Sequence, residues 1–236
     1  MTFSQVNELD GRQSRCGRGR AQVVSRSAEV PTRPGKGNYV AVGRYPFALR
    51  LGVPGDFDKV ARLVREAADW LRASKDTDQW ARPWPNRAAH RERILNDLIK
   101  GKTWIAWDGP VAAATITVDT EEPLNLHEQP IWPARKRHQP AVYVRRVVVS
   151  RNYARMGLGA GLLDWAADVA RRVHEVAFIR IDVWTTNLEL HAYYEGQGFS
   201  RSESRDPGEL GDYPSQALFE RDVQRSAPDY RELFTE

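Results

Sequence analysis

Three glycines stand at every second position within residues 153–172, where the chain reads YARMGLGAGLLDWAADVARR. Gly157, Gly159 and Gly161 run directly into an apolar stripe of helical period, which predicts a helix after the glycines. The free N–H groups of a helix N-terminus attract anions, and glycines leave them unshielded. The segment therefore predicts a site for a phosphate-bearing ligand, with Arg155 adding positive charge. The alternative is a closely packed strand-to-helix turn that binds nothing.

Two familiar phosphate-binding loops do not fit these residues. A Walker loop requires Gly-Lys-Ser/Thr, whereas Ala-Gly-Leu-Leu follows Gly159. The dinucleotide fingerprint requires G-x-G-x-x-G, whereas the spacing here is G-x-G-x-G. A nucleotide-binding regulator is therefore disfavoured.

The elements that position this loop can be predicted from hydrophobic period and from turn residues. The order is strand, two helices, a block of strands, helix, strand, helix and two final strands, which indicates a mixed α/β fold around one central sheet. The predicted ranges are a strand at 46–53, helices at 54–74 and 88–102, a hairpin turning at 108–109, a long loop at 122–140, strands at 141–150 and 177–186, a helix at 187–198, and two strands within 199–223.

A second motif follows the strand 177–186. Residues 187–199 read NLELHAYYEGQGF, in which Asn187, Tyr194, Gly198 and Phe199 fit the pattern N-x6-Y-x3-G-F. Together with the glycine loop and the order of elements, this motif resembles the GNAT superfamily of acyl-CoA-dependent N-acyltransferases over roughly residues 47–223. The loop is similar to that family's pyrophosphate loop, [Q/R]-x-x-G-x-[G/A], except that Ala154 occupies its first position and Arg155 follows.

The resemblance implies a largely antiparallel mixed sheet, splayed between the strands 141–150 and 177–186 and flanked by about four helices. Acetyl-CoA would enter the splay as co-substrate, without a metal. Its contacts would come from the strand end, the loop and the next motif: Val147, Val148, Val149, Arg155, Met156, Gly157, Leu158, Gly159, Ala160 and Asn187. Tyr194 matches the family tyrosine near the thioester sulfur, so it is the predicted general acid; its alternative is a packed helix residue.

The acceptor side is less determined. Trp80 and Trp84 lie in the loop between the first two helices, which borders the acceptor pocket in the family; the alternative is packing of a proline-rich loop. Trp132 also lies in a loop, where a core position is less automatic than for the tryptophans of regular elements. Arg145 stands where many relatives carry a carboxylate base, and an arginine cannot act as a base at neutral pH. It would hold an acidic substrate group or form an ion pair.

The general base therefore stays open among several titratable residues. Asp182 lies in an apolar strand and is also a candidate for acceptor binding; the alternative is an ion pair with Arg180 or Arg145. The other candidates lie on the hairpin and in the long loop: Asp119, Glu121, His127 and His138. His90 and His191 lie on helices without partners at metal-ligand spacing, so no metal site is predicted.

Composition sets the remaining expectations. The chain has 236 residues, one cysteine (Cys16) and a net charge of +4, and residues 1–44 alone carry eight basic and three acidic residues. We expect residues 1–44 to form a basic, disordered extension and 45–236 to form a single domain. The near-neutral body makes nucleic acid an improbable partner, and the short apolar runs predict no membrane span. A cytoplasmic location fits the single cysteine, and a homodimer would be in keeping with the family.

The leading functional hypothesis is transfer of an acetyl group from acetyl-CoA to the primary amine of a small molecule, by direct attack in a ternary complex. Two alternatives remain: a protein or peptide N-acetyltransferase, and a non-catalytic module that senses acyl-CoA. Turnover separates the enzymes from the sensor.

Overall fold

The structure is a computed structural model that describes residues 47–81, 83–125, 128–202, 210–225, 231 and 234–235. The predicted extension 1–44 and the candidate base His127 lie outside the described residues. The single domain at 45–236 stays a prediction.

The described residues form eight strands and five α-helices, broadly as the sequence predicts. The strands are β1 (Phe47–Leu51), β2 (Thr103–Asp108), β3 (Val111–Asp119), β4 (Ala141–Val149), β5 (Phe178–Val183), β6 (Ser200–Arg201), β7 (Ala217–Asp222) and β8 (Phe234–Thr235). The helices are α1 (Phe57–Ser74), α2 (Arg87–Ile99), α3 (Ala134–Arg137), α4 (Leu158–Val173) and α5 (Leu188–Gly196). Two elements were not predicted: α3, a single turn within the expected loop 122–140, and β8, beyond the last predicted strand.

All eight strands join one sheet in the order β6-β7-β5-β4-β3-β2-β1-β8. Neighbouring strands run antiparallel except for the β4–β5 pair and the short β1–β8 pair, which are parallel. The mixed, largely antiparallel sheet that the sequence predicts is thereby confirmed.

Successive residues of a strand point to opposite faces of the sheet, so apolar residues occur on both faces. Helices cover both of these faces. On one face, Val60, Leu63 and Val64 of α1 pack with Ile94 and Leu98 of α2 against alternate strand residues. On the other face, the apolar stripe of α4 and the end of α5 form the largest core cluster, which includes Leu158, Leu162, Trp165, Tyr194 and Phe199. The helical periods in the sequence correspond to these two buried faces.

The strands β4 and β5 separate soon after they begin. Their pairing covers only three register positions and ends at Tyr143 and Arg180, although β4 continues to Val149 and β5 to Val183. Because the two strands are parallel, the gap opens at their carboxyl ends, as the predicted splay requires.

An irregularity in β4 lies inside this gap. Thr115 of β3 pairs with Val148, whereas Thr117 pairs with Arg145, so β4 contains one extra residue there. Arg146 has a φ of +52°, in the left-handed region that non-glycine residues rarely adopt. Such a bulge bends a strand and increases its twist, which directs the end of β4 away from β5.

Candidate active site

A cleft of about 600 Å³ opens where β4 and β5 separate. Its walls come from α1, the end of β4, the start of α4, and α5. Nine of the ten residues predicted to contact the co-substrate line it: Val147, Val148, Val149, Arg155, Gly157, Leu158, Gly159, Ala160 and Asn187. Met156 is the exception, since its partly exposed side chain does not line the cleft.

The glycine loop presents an anion-binding end to this cleft. Gly157 caps α4 in the left-handed conformation, with a φ of +79°, and has no side chain to cap the helix. The N–H groups of the first helical turn therefore stay free, and the helix dipole adds partial positive charge. Arg155, with a φ of +66°, and Arg151 line the same end of the cleft.

Gly159 allows a close approach between α4 and α5. A Cβ at this position would lie 2.8 Å from the Tyr193 hydroxyl and 3.8 Å from Val149 Cγ2. Any larger residue would push Tyr193, which also lines the cleft, from its position.

The buried Asn187 side chain holds the neighbouring elements together. Its Oδ1 accepts from the Leu190 N–H at 3.0 Å and so caps α5, and its Nδ2 donates to Gln79 Oε1 at 2.5 Å. The capping residue at the start of the helix explains why α5 begins there. The sequence predicts that Asn187 contacts a ligand; the structure shows its side-chain amide engaged with the protein.

A second, smaller cleft of about 160 Å³ lies next to the first. It is lined by the four residues predicted for the acceptor side, namely Trp80, Trp84, Arg145 and Asp182. The two clefts share five lining residues: Gln79, Trp80, Val147, Leu190 and Tyr194. The two clefts are therefore adjacent at these five residues, which we call the junction.

Tyr194 lies at the junction with 4% of its surface exposed. Its hydroxyl makes no hydrogen bond to any residue that the structure describes. Burial, with smaller contributions from Tyr193 and Asp182, raises the pKa of Tyr194 above its ordinary value of 10. The phenol therefore stays protonated at neutral pH.

Asp182 is the carboxylate of the second cleft. Tyr213 donates a hydrogen bond to its Oδ2 at 2.6 Å. Burial raises the pKa of Asp182, against the opposing effects of Tyr213 and Arg145. A carboxylate with a raised pKa is a stronger base than an exposed one, so this group suits proton acceptance.

Arg145 forms ion pairs within the protein, which was one of its two predicted roles. Its Nη2 lies 3.2 Å from Asp97 and 2.8 Å from Asp119, and both carboxylates are buried. Arg146 contacts Asp97 at 3.0 Å and donates to Thr117 Oγ1 at 3.0 Å. This network fixes the irregular segment of β4 against β3 and α2.

The other candidate bases lie away from both clefts. Asp119 and Glu121 pair with Lys102 at 2.8 and 2.7 Å, and neither lines a cleft. His138 lines neither cleft. Of the candidates that the structure describes, Asp182 alone faces the junction region.

Several residues of the site were not predicted. Trp70, expected in the core, lines the larger cleft, and the Arg151 guanidinium stacks 3.9 Å from its ring centroid. Trp132, by contrast, is fully buried in a core cluster. His90 and Arg93 line the smaller cleft, and their spacing on the predicted helix could have placed them on one face. Tyr213 had no local sequence signal.

Comparison with known families decides the classification. The Acetyltransferase (GNAT) family matches residues 64–199, which is more than half of the chain and includes all five residues that the two clefts share. The chain belongs to the GNAT family.

Individual relatives agree with this assignment. The chain is 26% identical over 145 residues to the uncharacterized N-acetyltransferase YesJ of Bacillus subtilis (strain 168), covering 61% of this chain and 76% of YesJ. Two solved structures share the fold. The first is a GNAT-family acetyltransferase from Listeria monocytogenes 4b F2365, with a TM-score of 0.59 and 22% identity; the match covers 75% of this chain and 94% of that one. The second is the PaiA N-acetyltransferase from Thermoplasma acidophilum in complex with coenzyme A, with a TM-score of 0.54 and 15% identity; the match covers 75% of this chain and 99% of that one.

The residues that the structure describes contain no group of three or more His, Cys, Asp or Glu placed to hold a metal ion. No helix among them has the length and apolar character needed to cross a membrane.

His90 provides a direct measure of the electrostatics of the smaller cleft. Burial, with the charges of Arg146 and Arg93, lowers its pKa from 6.5 to about 4. We expect its imidazole resonances to titrate near pH 4 in NMR. Because the unfolded chain binds this proton more readily, the free energy of unfolding should fall as the pH drops from 6.5 towards 4. His90→Gln should flatten this dependence. Titration of His90 near pH 6.5 would contradict the arrangement.

Proposed function

We propose that this GNAT acetyltransferase transfers an acetyl group from acetyl-CoA to a primary amine of a small molecule. The observation that carries the proposal is the meeting of two clefts at Tyr194, a protonated phenol without a hydrogen-bond partner among the described residues. Direct transfer requires two substrates to meet at one point near a proton donor.

Acetyl-CoA would occupy the larger cleft. Its pyrophosphate would bind the free N–H groups at the start of α4, beside Arg155 and Arg151. Its pantetheine arm would hydrogen-bond to the edge of β4 at 147–149, which β5 leaves unpaired. The PaiA structure contains coenzyme A and has the same fold, which supports this assignment.

The reaction would proceed in one ternary complex. The neutral amine attacks the thioester carbonyl carbon, and the C–N bond forms as the C–S bond breaks. The departing sulfur takes its proton from the Tyr194 hydroxyl. Asp182, whose pKa burial raises, accepts the proton that the amine loses. Trp80 and Trp84 provide aromatic walls for the acceptor.

The volume of the second cleft favours a small acceptor over a protein. At about 160 Å³ it is smaller than the roughly 300–1,000 Å³ typical of drug-sized ligands. A peptide acceptor remains the second candidate, because the N-terminus of a chain would also fit. A non-catalytic acyl-CoA sensor is the third candidate, and a measured turnover of acetyl-CoA would exclude it.

Calorimetric titration of the full chain with acetyl-CoA, with NAD and ATP as comparators, tests the first step. Binding of acetyl-CoA alone, followed by amine-dependent release of thiol, supports the proposal. A chain that does not bind acetyl-CoA contradicts it.

Tyr194→Phe tests the assignment of the general acid. Loss of the hydroxyl should lower kcat by roughly 100-fold or more, because general acid catalysis contributes about that much. The dissociation constant for acetyl-CoA should stay within about twofold, since the ring keeps its packing. Tyr143→Phe is the matched control, because Tyr143 is buried but lines neither cleft. Equal kcat values for the two variants would show that Tyr194 is a packing residue.

Gly159→Ala tests the location of the co-substrate. The new methyl group would shift the Tyr193 side chain, which lines the larger cleft, so acetyl-CoA affinity should fall by about tenfold. Adding Tyr193→Phe removes the atom that clashes and should restore part of the affinity. Gly196→Ala is the control, because a Cβ there meets nothing within 4 Å. If Gly159→Ala binds acetyl-CoA normally, the co-substrate does not lie against this turn.

A further inference from the structure

We propose that the acceptor is a small primary amine that also carries an acidic group, and that Arg93 binds this group in the second cleft. The inference rests on the proposed function and specifies its substrate class. It follows from the position of one guanidinium and from the charges that surround it.

Arg93 lies on α2 and is held by uncharged partners. Its guanidinium carbon lies 5.1 Å from the Trp84 ring centroid, and its Nη2 donates to the Trp84 backbone carbonyl. No carboxylate of a described residue forms an ion pair with it. A guanidinium has five N–H donors in a planar fork, which matches a carboxylate or phosphate, so donors remain for a ligand.

The neighbouring arginines differ in this respect. Arg145 and Arg146 also line the cleft, but Asp97 and Asp119 neutralise them. These two aspartates are buried and do not line the cleft. Among the described residues that line the cleft, Arg93 is therefore the one guanidinium without a carboxylate ion pair, and Asp182 is the single carboxylate.

The two charged groups of such an acceptor would have separate partners. The amine would point to the junction, near Asp182 and Tyr194, and the acidic group would point to Arg93. Arg93 and Asp182 both line this cleft of about 160 Å³, so both ends of the acceptor would lie within one small volume. The uncharged rings of Trp84 and Tyr213, whose centroids lie 5.0 Å apart, would contact the carbon chain that joins the amine to the acidic group.

The test compares primary amines that differ only in the acidic group. A panel of aminocarboxylates is assayed beside the corresponding carboxamides and aminoalkyl phosphonates, with thiol release from acetyl-CoA as the readout on the full chain. We expect the best acid to exceed its amide by about tenfold or more in kcat/KM, since hydrogen bonds to charged groups are strong. The phosphonate arm distinguishes a phosphate-bearing acceptor from a carboxylate-bearing one.

Variants then locate the effect. Arg93→Gln should raise KM for the acid by about tenfold and leave KM for the amide within about twofold. Arg87→Gln is the matched control, because Arg87 lies on the same helix but lines neither cleft. Equal rates for acid and amide across the panel would overturn the inference, as would an acid preference that Arg93→Gln preserves.

A binding experiment separates this inference from the proposed function. Calorimetric titration of the panel into the chain, with and without coenzyme A, requires no turnover. If acetyl-CoA fails to bind, the proposed function is wrong, and an Arg93-dependent preference for acids still supports an anion site. If acetyl-CoA binds and amines are acetylated without preference for acids, the inference alone is wrong.

Discussion

The rest of the structure depends on the early end of pairing between β4 and β5. Buried backbone N–H and C=O groups need hydrogen-bond partners. Where a strand inside a sheet no longer pairs with its neighbouring strand, its backbone groups on that side need other partners. Beyond Tyr143 and Arg180 the end of β4 faces a cleft instead of β5. The unpaired edge is a place for an extended ligand that supplies the missing hydrogen bonds. The fold thus provides an incomplete strand pair that a co-substrate would complete.

An ion network maintains this incomplete pair. The left-handed backbone at Arg146 is unfavourable by about 1–2 kcal/mol, and something must hold it in place. Asp97 accepts from both Arg145 and Arg146, and Asp119 accepts from Arg145. Breaking a buried pair by removing one partner is strongly destabilising. Arg145, which the sequence offers either for an acidic substrate group or for an ion pair, therefore helps to hold the bulge, and we propose Arg93 for the substrate.

Features that depend on local sequence could be predicted. The glycines, the apolar stripe of α4 and the Asn187 cap act within a few residues, so loop, helix and motif lie where the sequence places them. The role of Arg145 could not be decided, because Asp97 and Asp119 are distant in sequence and meet it only through the sheet. Tyr213 reaches Asp182 by the same long-range route. Trp70, expected in the core, lines the larger cleft, because a tryptophan in a helix can face a cleft; the loop position of Trp132 did not decide that it is buried.

The most direct test of the account is a crystal structure of the chain with coenzyme A bound. The account predicts the pyrophosphate on the N–H groups at the start of α4, the pantetheine arm along 147–149, and the sulfur within hydrogen-bond distance of the Tyr194 hydroxyl. A coenzyme A bound elsewhere, or a sulfur remote from Tyr194, would contradict it.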